Sequence, residues 1–298
     1  MKQKKEKHKN IILFKKIVKK GSPTNIVKSK LFETTEPEQT LWAIVGWLEN
    51  ESFDSIGIAC FGPVDLNKKS KTYGQITSTP KLKWQNTKVV QVFEKFGKPI
   101  GFDTDVNGPA LAELYYGNHK PGTNSLCYIS VGTGVGVGII VDGRPVHGAM
   151  HPEAGHVCVR RHEEDEYKGD CEFHGDCLEG MTRISSIMGR CGLECHKELP
   201  NVGDNHPVWH YVAYYLAQLC LSLTLVASPD VIVFGGGIIN RESLLPSIRT
   251  HFKILLNEYV QVKNVKEVDT YIIRSVHKND SGIIGAFELS KRAFLGDV

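Results

Sequence analysis

Residues 156–179 read HVCVRRHEEDEYKGDCEFHGDCLE, the stretch around which the rest of the chain is organised. Within it, two residues separate Cys171 from His174 and two more separate His174 from Cys177. That spacing lets one tight turn aim three side chains at a single point. A structural zinc ion takes four N or S ligands in a tetrahedron, and His156 is the best candidate for the fourth. The stretch therefore predicts a zinc knuckle that is closed by protein ligands.

Two other interpretations of the knuckle remain open from the sequence. The cysteines could be scattered reduced thiols beside a surface histidine, or Cys171 and Cys177 could form a disulfide. The ligand spacing, with Gly169 and Gly175 around it, favours the metal. A site with four protein ligands has no open position, so the predicted role of the zinc is structural.

The composition is that of a folded globular protein. With 298 residues the chain can form one large or two ordinary domains. No run of residues approaches the ~20 apolar positions of a membrane span, and Lys15 and Lys16 interrupt the apolar residues near the start, unlike a secretory signal. The eight cysteines have uneven spacings, which fits a reducing compartment. We therefore expect a cytoplasmic protein that does not associate with membranes.

The positive charge of the chain is concentrated at its amino terminus. Residues 1–30 carry eleven Lys and one Glu, so the remainder has a net charge of −7 although the whole chain has +3. A nucleic-acid-binding protein usually carries a basic face on its folded body, so this distribution argues against a nucleic-acid partner. Residues 1–30 have little amphipathic pattern, and we interpret them as a disordered, solvated leader.

Beyond the leader, short apolar strands alternate with amphipathic helices, which predicts an α/β fold. Two glycine clusters follow apolar strands of this pattern. The first comprises Gly132, Thr133 and Gly134, and the second comprises Gly235, Gly236 and Gly237. Glycine-rich turns expose backbone N–H groups that bind phosphate, and they fit the carboxyl ends of strands where α/β sheets bind ligands. Each cluster could instead be a plain turn, and neither is a Walker loop.

Asp105 and Asn107 form a further candidate site at the end of another apolar strand. An aspartate at the start of a helix is most often a cap. At the edge of a sheet, however, the carboxylate of Asp105 could take a proton from a hydroxyl group that attacks a phosphoryl group. Glu153, His156 and Glu179 flank the knuckle, and a rigid zinc site would hold them in place to hydrogen-bond a polyol.

Together these motifs resemble the sugar kinases of the ROK family, and within it the zinc-containing fructokinases. The resemblance runs from about residue 31 to residue 293. Its motifs are 56–65, which is similar to the sugar loop, 104–107, 132–134, 153–156, 171–179 and 235–237. His174 in place of a cysteine and the run Arg160-Arg161-His162 are similar to the fructokinase branch.

The resemblance implies an actin-like, ribonuclease H-like fold of two α/β lobes with ATP and sugar in the cleft between them. The amino-terminal lobe would be 31–106, closed by a helix at 282–298, and the carboxy-terminal lobe would be 107–281. It also implies transfer of the ATP γ-phosphoryl group to the 6-hydroxyl of D-fructose with Mg²⁺, often by a homodimer.

The resemblance also assigns roles to individual residues. Asp105 would be the catalytic base, and the two glycine clusters would bind ATP. The sugar hydroxyls would be held by Asn107, Glu153, His156 and Glu179, with one ring nitrogen of His156 on zinc and the other toward the sugar.

One motif of the family is missing. ROK kinases open with a strand that carries Asp/Glu-x-Gly-Gly-Thr-Lys, the first phosphate motif, and residues 1–30 contain no such pattern. Its absence would remove N–H donors from the phosphates and leave a strand of the sheet unpaired. A sugar-binding relative with impaired catalysis, a truncated chain, and a kinase that prefers mannose or glucose therefore stay open as alternatives.

Overall fold

The structure, a computed structural model, describes residues 11–18, 23 and 25–297. In chain order its strands and helices are β1 Ile11–Val18, β2 Ile26–Glu33, α1 Pro37–Leu48, β3 Ile56–Cys60, α2 Val89–Phe93, β4 Ile100–Thr104, α3 Asn107–Tyr116, β5 Leu126–Val131, β6 Val135–Val141, β7 Arg144–Pro145, α4 Leu178–Thr182, α5 Ile184–Cys191, α6 Pro207–Ala227, β8 Val231–Gly235, α7 Leu244–Leu256, α8 Lys263–Lys266, α9 Val268–Tyr271, β9 Ile272–Arg274 and α10 Ser281–Leu295. Strands and helices alternate along most of the chain, as the sequence predicts.

The chain divides into two compact units. The first contains residues 1–108, 148–151 and 282–298, and the second contains 109–147 and 152–281. Each unit has its own buried apolar cluster. A short segment, 148–151, thus belongs to the first unit although the chain on both sides of it belongs to the second.

The amino-terminal region differs from the disordered leader that the sequence predicts. β1 and β2 pair as an antiparallel hairpin, with Ile11 opposite Glu33 and Val18 opposite Ile26. Phe32 of β2 is buried in the apolar cluster of the first unit, whereas its neighbour Leu31 is exposed. The rest of the predicted leader, residues 1–10, 19–22 and 24, lies outside the described residues.

Two separate two-stranded sheets make up the strands of the first unit. β1 pairs with β2, and β3 pairs in parallel with β4. Among the described strands, β3 therefore has a partner on one edge only. The expectation that the missing phosphate motif leaves a strand unpaired stays a prediction, since residues 1–10 lie outside the described part of the chain.

Helix α10 packs directly on the β3–β4 pair because glycines remove the side chains in between. Gly57 of β3 lies opposite Gly101 of β4. A Cβ atom at Gly57 would lie 1.6 Å from the carbonyl oxygen of Ala286, and one at Gly101 would lie 2.1 Å from that of Leu289. The backbone of α10 thus fixes β3 and β4, and with them the residues that follow each strand.

Gly57→Ala is expected to lower the free energy of unfolding by about 3 kcal/mol, since the added methyl group can be accommodated only by moving α10. Gly46→Ala is the matched control, because Gly46 lies in α1 with no atom within 4 Å of an added Cβ. It should be neutral or stabilise by up to about 1 kcal/mol. Urea denaturation of the two variants measures both effects, and equal stability of the two would contradict the packing described here.

The second unit is built on a five-stranded sheet in the order β7-β6-β5-β8-β9. β5, β8 and β9 run parallel, whereas β6 and β7 are antiparallel additions. β8 is buried at every position, as a strand covered on both faces must be. The register sets Ser130 of β5 opposite Gly235 of β8, so the carboxyl ends of these two strands lie side by side.

Helix α6 is the long core helix of this unit. Among the described residues it is the one helix whose length and apolarity would suffice to cross a membrane. Half of its most apolar window is buried inside the protein, and Val212, Tyr215, Leu216 and Leu219 are fully covered. Its apolar composition is therefore accounted for by packing in the core of the unit.

Candidate active site and metal centre

The four predicted metal ligands meet at one point. The ligand atoms of His156, Cys171, His174 and Cys177 all lie within 4.8 Å of one another. The Nδ1 atom of His156 is 3.7 Å from the Sγ atom of Cys171 and 3.6 Å from that of Cys177. The Nδ1 atom of His174 is 3.7 Å from the Sγ atom of Cys171. As the sequence predicts, the fold thus brings His156 to the three knuckle residues, although it lies fifteen positions before the first of them.

These distances fit zinc. Zn–S and Zn–N bonds of about 2.3 and 2.0 Å give a tetrahedral S···N edge of about 3.5 Å, close to the 3.6–3.7 Å observed. A disulfide would require the two sulfurs to be bonded, and both Cys171 and Cys177 are free thiols, so the disulfide interpretation is wrong. Two thiols and two imidazoles without an open position suit a structural metal.

Glycines shape the knuckle. Cys171 and Gly175 exchange two backbone hydrogen bonds, of 3.1 and 3.0 Å, which close a tight hairpin around His174. Gly175 has a φ of +61° and Gly169 a φ of +84°, both in the left-handed region that favours glycine. The cysteine side chains are buried, and that of His174 is exposed.

The knuckle is tied to the first glycine cluster through Glu179. This residue lies in α4, two residues after Cys177, and its Oε2 atom accepts a hydrogen bond of 2.9 Å from the N–H of Val135. Its Oε1 atom lies 3.5 Å from a guanidinium nitrogen of Arg183. A Cβ atom on Gly134 would lie 2.7 Å from the same carboxylate, so a side chain there would displace the carboxylate of Glu179. The predicted contact of Glu179 with sugar hydroxyls remains a prediction.

The first glycine cluster is a tighter turn than the sequence suggests. β6 begins at Val135, so that Gly136 and Gly138 pair with β5 and the turn contains Gly132, Thr133 and Gly134 alone. A hydrogen bond of 2.9 Å from the N–H of Gly132 to the carbonyl of Gly134 closes it. Thr133 is exposed at its tip.

The second glycine cluster lies beside the first. Gly235 ends β8, and Gly236 follows with a φ of +88°. A Cβ atom on Gly236 would lie 2.3 Å from the carbonyl oxygen of Val131, the residue before the first turn. Gly237 has open space around its Cα atom. Two glycine turns at the ends of adjacent parallel strands form the kind of edge where α/β sheets bind ligands.

In the first unit, Asp105 follows β4 directly. Its backbone N–H donates a hydrogen bond of 2.8 Å to the carbonyl of Cys60 at the end of β3. The residue is exposed to solvent, while desolvation by the neighbouring protein raises its pKa to about 6, against the lowering effect of Lys81. A carboxyl group that changes charge near neutral pH is suited to proton transfer.

Asn107 is held by Asp103, a partner that the sequence does not identify. The amide of Asn107 donates a hydrogen bond of 2.7 Å to Oδ1 of Asp103, and its backbone N–H donates one of 2.9 Å to the hydroxyl of Thr104. Asp103 and Asn107 are both nearly inaccessible to solvent. The start of α3 is therefore rigid next to Asp105.

Two other residues near these strands carry no recognisable spacing in the sequence. The Nε2 atom of His151, which is buried, accepts a hydrogen bond of 3.1 Å from the N–H of Val64 and so fixes the loop after β3. The ammonium of Lys81 lies 3.7 Å from the centroid of the Phe61 ring. Both residues lie in loops, so a search of the sequence for titratable residues at strand ends would not have found them.

Glu153 and His156 lie in one short helical turn of the second unit. The N–H of His156 donates a hydrogen bond of 3.0 Å to the carbonyl of Glu153. Because the Nδ1 atom of His156 faces the sulfurs, its Nε2 atom is on the opposite side of the ring. Gly155 between them permits a close approach to β6, where an added Cβ would lie 1.8 Å from the carbonyl of Val135.

Comparison with known proteins points to one family. The sequence profile of the ROK family matches residues 17–293. A fructokinase from Zymomonas mobilis is 39% identical over 268 residues, which cover 87% of this chain and 87% of the relative. A fructokinase from Lactococcus lactis is 37% identical over 273 residues, which cover 91% of each.

Solved structures agree on the fold. A ROK family glucokinase from Streptomyces griseus, in complex with glucose and AMPPNP, superposes with a TM-score of 0.70 at 21% identity and covers 91% of this chain and 94% of that one. A ROK hexokinase from Thermus thermophilus gives a TM-score of 0.70 at 20% identity, with 91% and 92% covered.

Proposed function

This chain belongs to the ROK family, and we propose that it is an ATP-dependent fructokinase that converts D-fructose and ATP to fructose 6-phosphate and ADP. The observation that carries the proposal is its similarity, over about nine tenths of both chains, to fructokinases at 37–39% identity. The chain has the two α/β units of the family's actin-like fold and a His/Cys cluster of zinc geometry. The proposed location is the cytoplasm, and the proposed assembly is a homodimer.

Asp105 is the proposed catalytic base. It accepts the proton of the 6-hydroxyl as that oxygen attacks the γ-phosphorus of ATP, and the bond from that phosphorus to the bridging oxygen of ADP breaks. Mg²⁺ arrives with ATP as part of the substrate and offsets the phosphate charge. The pKa of Asp105, which desolvation raises to about 6, leaves the carboxyl group ionised at neutral pH. Such a group is a stronger base than an ordinary aspartate.

The remaining site residues have proposed binding roles. Asn107, Glu153, His156 and Glu179 bind sugar hydroxyls, and the two glycine turns bind the nucleotide phosphates and adenosine. Zinc would be held by His156, Cys171, His174 and Cys177, and when bound it would stabilise the knuckle from which Glu179 reaches the turn at Gly134. This role is supported by the hydrogen bond from Val135 to Glu179.

The activity should depend on pH through Asp105. Because the carboxylate is the active form and its pKa is about 6, kcat/KM for fructose is expected to be level above pH 7 and to fall tenfold per pH unit well below 6. Steady-state rates between pH 5 and 8 measure the profile. Metal content and recovery of activity on return to pH 7.5 control for loss of zinc in acid. A profile that is flat down to pH 5 would contradict the assignment of Asp105.

A second candidate function is a sugar-binding relative without turnover. The specific observation in its favour is that β3 has one partner among the described strands, where the family places the strand with its first phosphate motif. The test compares fructose, mannose and glucose as acceptors by release of ADP from MgATP, alongside binding of each sugar by calorimetry. Preferred turnover of fructose supports the fructokinase. Sugar binding without ADP release supports the second candidate, and preferred turnover of mannose or glucose changes the substrate.

A further inference from the structure

Lys81, in the first unit, is a half-buried lysine whose ammonium lies on an aromatic ring. Within the described part of the chain, the contact recorded for its ammonium is the face of the Phe61 ring, at 3.7 Å from the centroid. The ring of Phe61 is itself fixed by an edge-to-face contact with buried Trp84, at 5.4 Å between centroids. Aromatic faces attract cations without supplying a counter-charge. The Phe61 ring therefore orients the ammonium but leaves its positive charge able to interact with a nearby anion.

The fold brings this ammonium to the strand end that carries Asp105. Cys60 of β3 lies opposite Thr104 of β4, and the N–H of Asp105 bonds to the carbonyl of Cys60. Phe61 follows Cys60 directly in sequence, so Phe61 and Asp105 leave adjacent strands at the same edge. The backbone of Phe61, whose ring carries the Lys81 ammonium, therefore lies beside that of Asp105, and Lys81 and Asp105 influence each other's charge.

We propose that Lys81 is the positioning residue of this site, and that its ammonium on the Phe61 ring keeps the Asp105 carboxylate charged until a sugar hydroxyl delivers a proton. The proposal rests on the fructokinase function and names a residue that acts through the base rather than on the substrate. An arginine or lysine is required in this role, since the effect depends on charge.

The electrostatics of the site agree with this geometry. Burial lowers the pKa of Lys81, and Asp105 opposes that change. Desolvation raises the pKa of Asp105 to about 6, and Lys81 opposes that change. The other titratable neighbour is the thiol of Cys60 on β3, whose pKa is raised by burial first and by Asp105 second, so it stays neutral. Asp103, on the same strand as Asp105, is hydrogen-bonded to Asn107.

The test compares four variants of the full, zinc-loaded chain. Lys81→Met and Lys81→Gln remove the charge, and Met retains the apolar contact with Phe61. Lys81→Arg keeps the charge. Lys83→Met is the matched control two residues away, because Lys83 is exposed and pairs with Glu36. The measurement is the pH titration of the Asp105 carboxyl carbon by NMR with ¹³C-labelled aspartate, its signal assigned by loss in Asp105→Asn.

In Lys81→Met and Lys81→Gln the titration midpoint is expected to rise by about one pH unit, as loss of a nearby opposite charge predicts. Lys81→Arg and Lys83→Met should titrate like the wild type. The loss of kcat/KM should be about fivefold near pH 6 and should shrink toward pH 8, because high pH restores the carboxylate. A merely structural role of Lys81 would lower activity equally at every pH.

An unchanged midpoint in both neutral variants would overturn the proposal, whatever their activity. The NMR titration does not require turnover, so the two proposals can fail separately. A shifted midpoint in a wild-type chain that phosphorylates no sugar would retain the role of Lys81 and reject the fructokinase. Fructose turnover with an unshifted midpoint would do the opposite.

Discussion

Asp105→Asn is expected to lower kcat for fructose phosphorylation by roughly 10²–10⁴-fold, the usual contribution of a general base. The amide has nearly the same shape as the carboxylate but cannot accept the hydroxyl proton. KM for fructose should change little, since sugar binding is assigned to other residues. Initial rates at saturating MgATP measure both constants.

The fold should survive this substitution. Asp105 is exposed to solvent, and the amide has nearly the same shape as the carboxyl group, so the substitution should not destabilise the protein. Asp142→Asn is the matched control, because Asp142 lies in the turn after β6 with a φ of +49°, a conformation that Asn adopts readily. Thermal unfolding of both variants should resemble that of the wild type. Full turnover by Asp105→Asn would show that another group is the base.

Cys177→Ser is expected to lose the metal and to destabilise the second unit. Structural zinc sites bind with apparent free energies of about 10–16 kcal/mol, and that binding is coupled to folding. A hydroxyl is a poor zinc ligand, so most of this stabilisation is lost at ordinary zinc concentrations. We expect less than one tenth of the wild-type zinc content and a Tm lower by about 10 °C.

The control for the knuckle is Cys158→Ser. Cys158 lies two residues after His156 but is exposed and outside the ligand cluster, so its loss should change neither zinc content nor Tm. Elemental analysis of each purified variant gives the metal stoichiometry. Wild-type zinc in Cys177→Ser, or the absence of zinc from the wild type after purification without chelators, would contradict the metal centre.

Loss of zinc should also affect the glycine turn. Glu179 lies two residues after Cys177, and its carboxylate accepts a hydrogen bond from the N–H of Val135, next to Gly134. When the knuckle loosens, this hydrogen bond loses its fixed acceptor. The nucleotide site that we assign to the turn should then weaken together with the metal centre.

The zinc cluster and the edge of the second sheet could be predicted from the sequence because their signals are local. Cys171, His174 and Cys177 carry their spacing in the chain itself, and glycines after apolar strands mark Gly132 and Gly235. What the sequence pattern could not show was the register that sets β5 beside β8, because pairing between distant strands depends on tertiary packing.

The prediction of a disordered leader was wrong for residues 11–18 and 26–30, and the reason is physical. The lysines of residues 1–30 suggested a solvated leader, yet β1 and β2 form a hairpin in which Phe32 reaches the core. A strand that is covered on one face tolerates lysine on the other, so charge density alone does not exclude it. Lys81 could not be identified from the sequence, because a single lysine in a loop belongs to no motif. Its contact with the ring of Phe61 is visible only in the structure.

The most direct test of the central claim is ³¹P NMR of the purified, zinc-loaded chain with MgATP and D-fructose. The account predicts a new phosphate-ester signal identical to that of authentic fructose 6-phosphate, which grows in step with ADP. A folded, zinc-loaded protein that produces no sugar phosphate would contradict it, and would favour a sugar-binding relative without turnover.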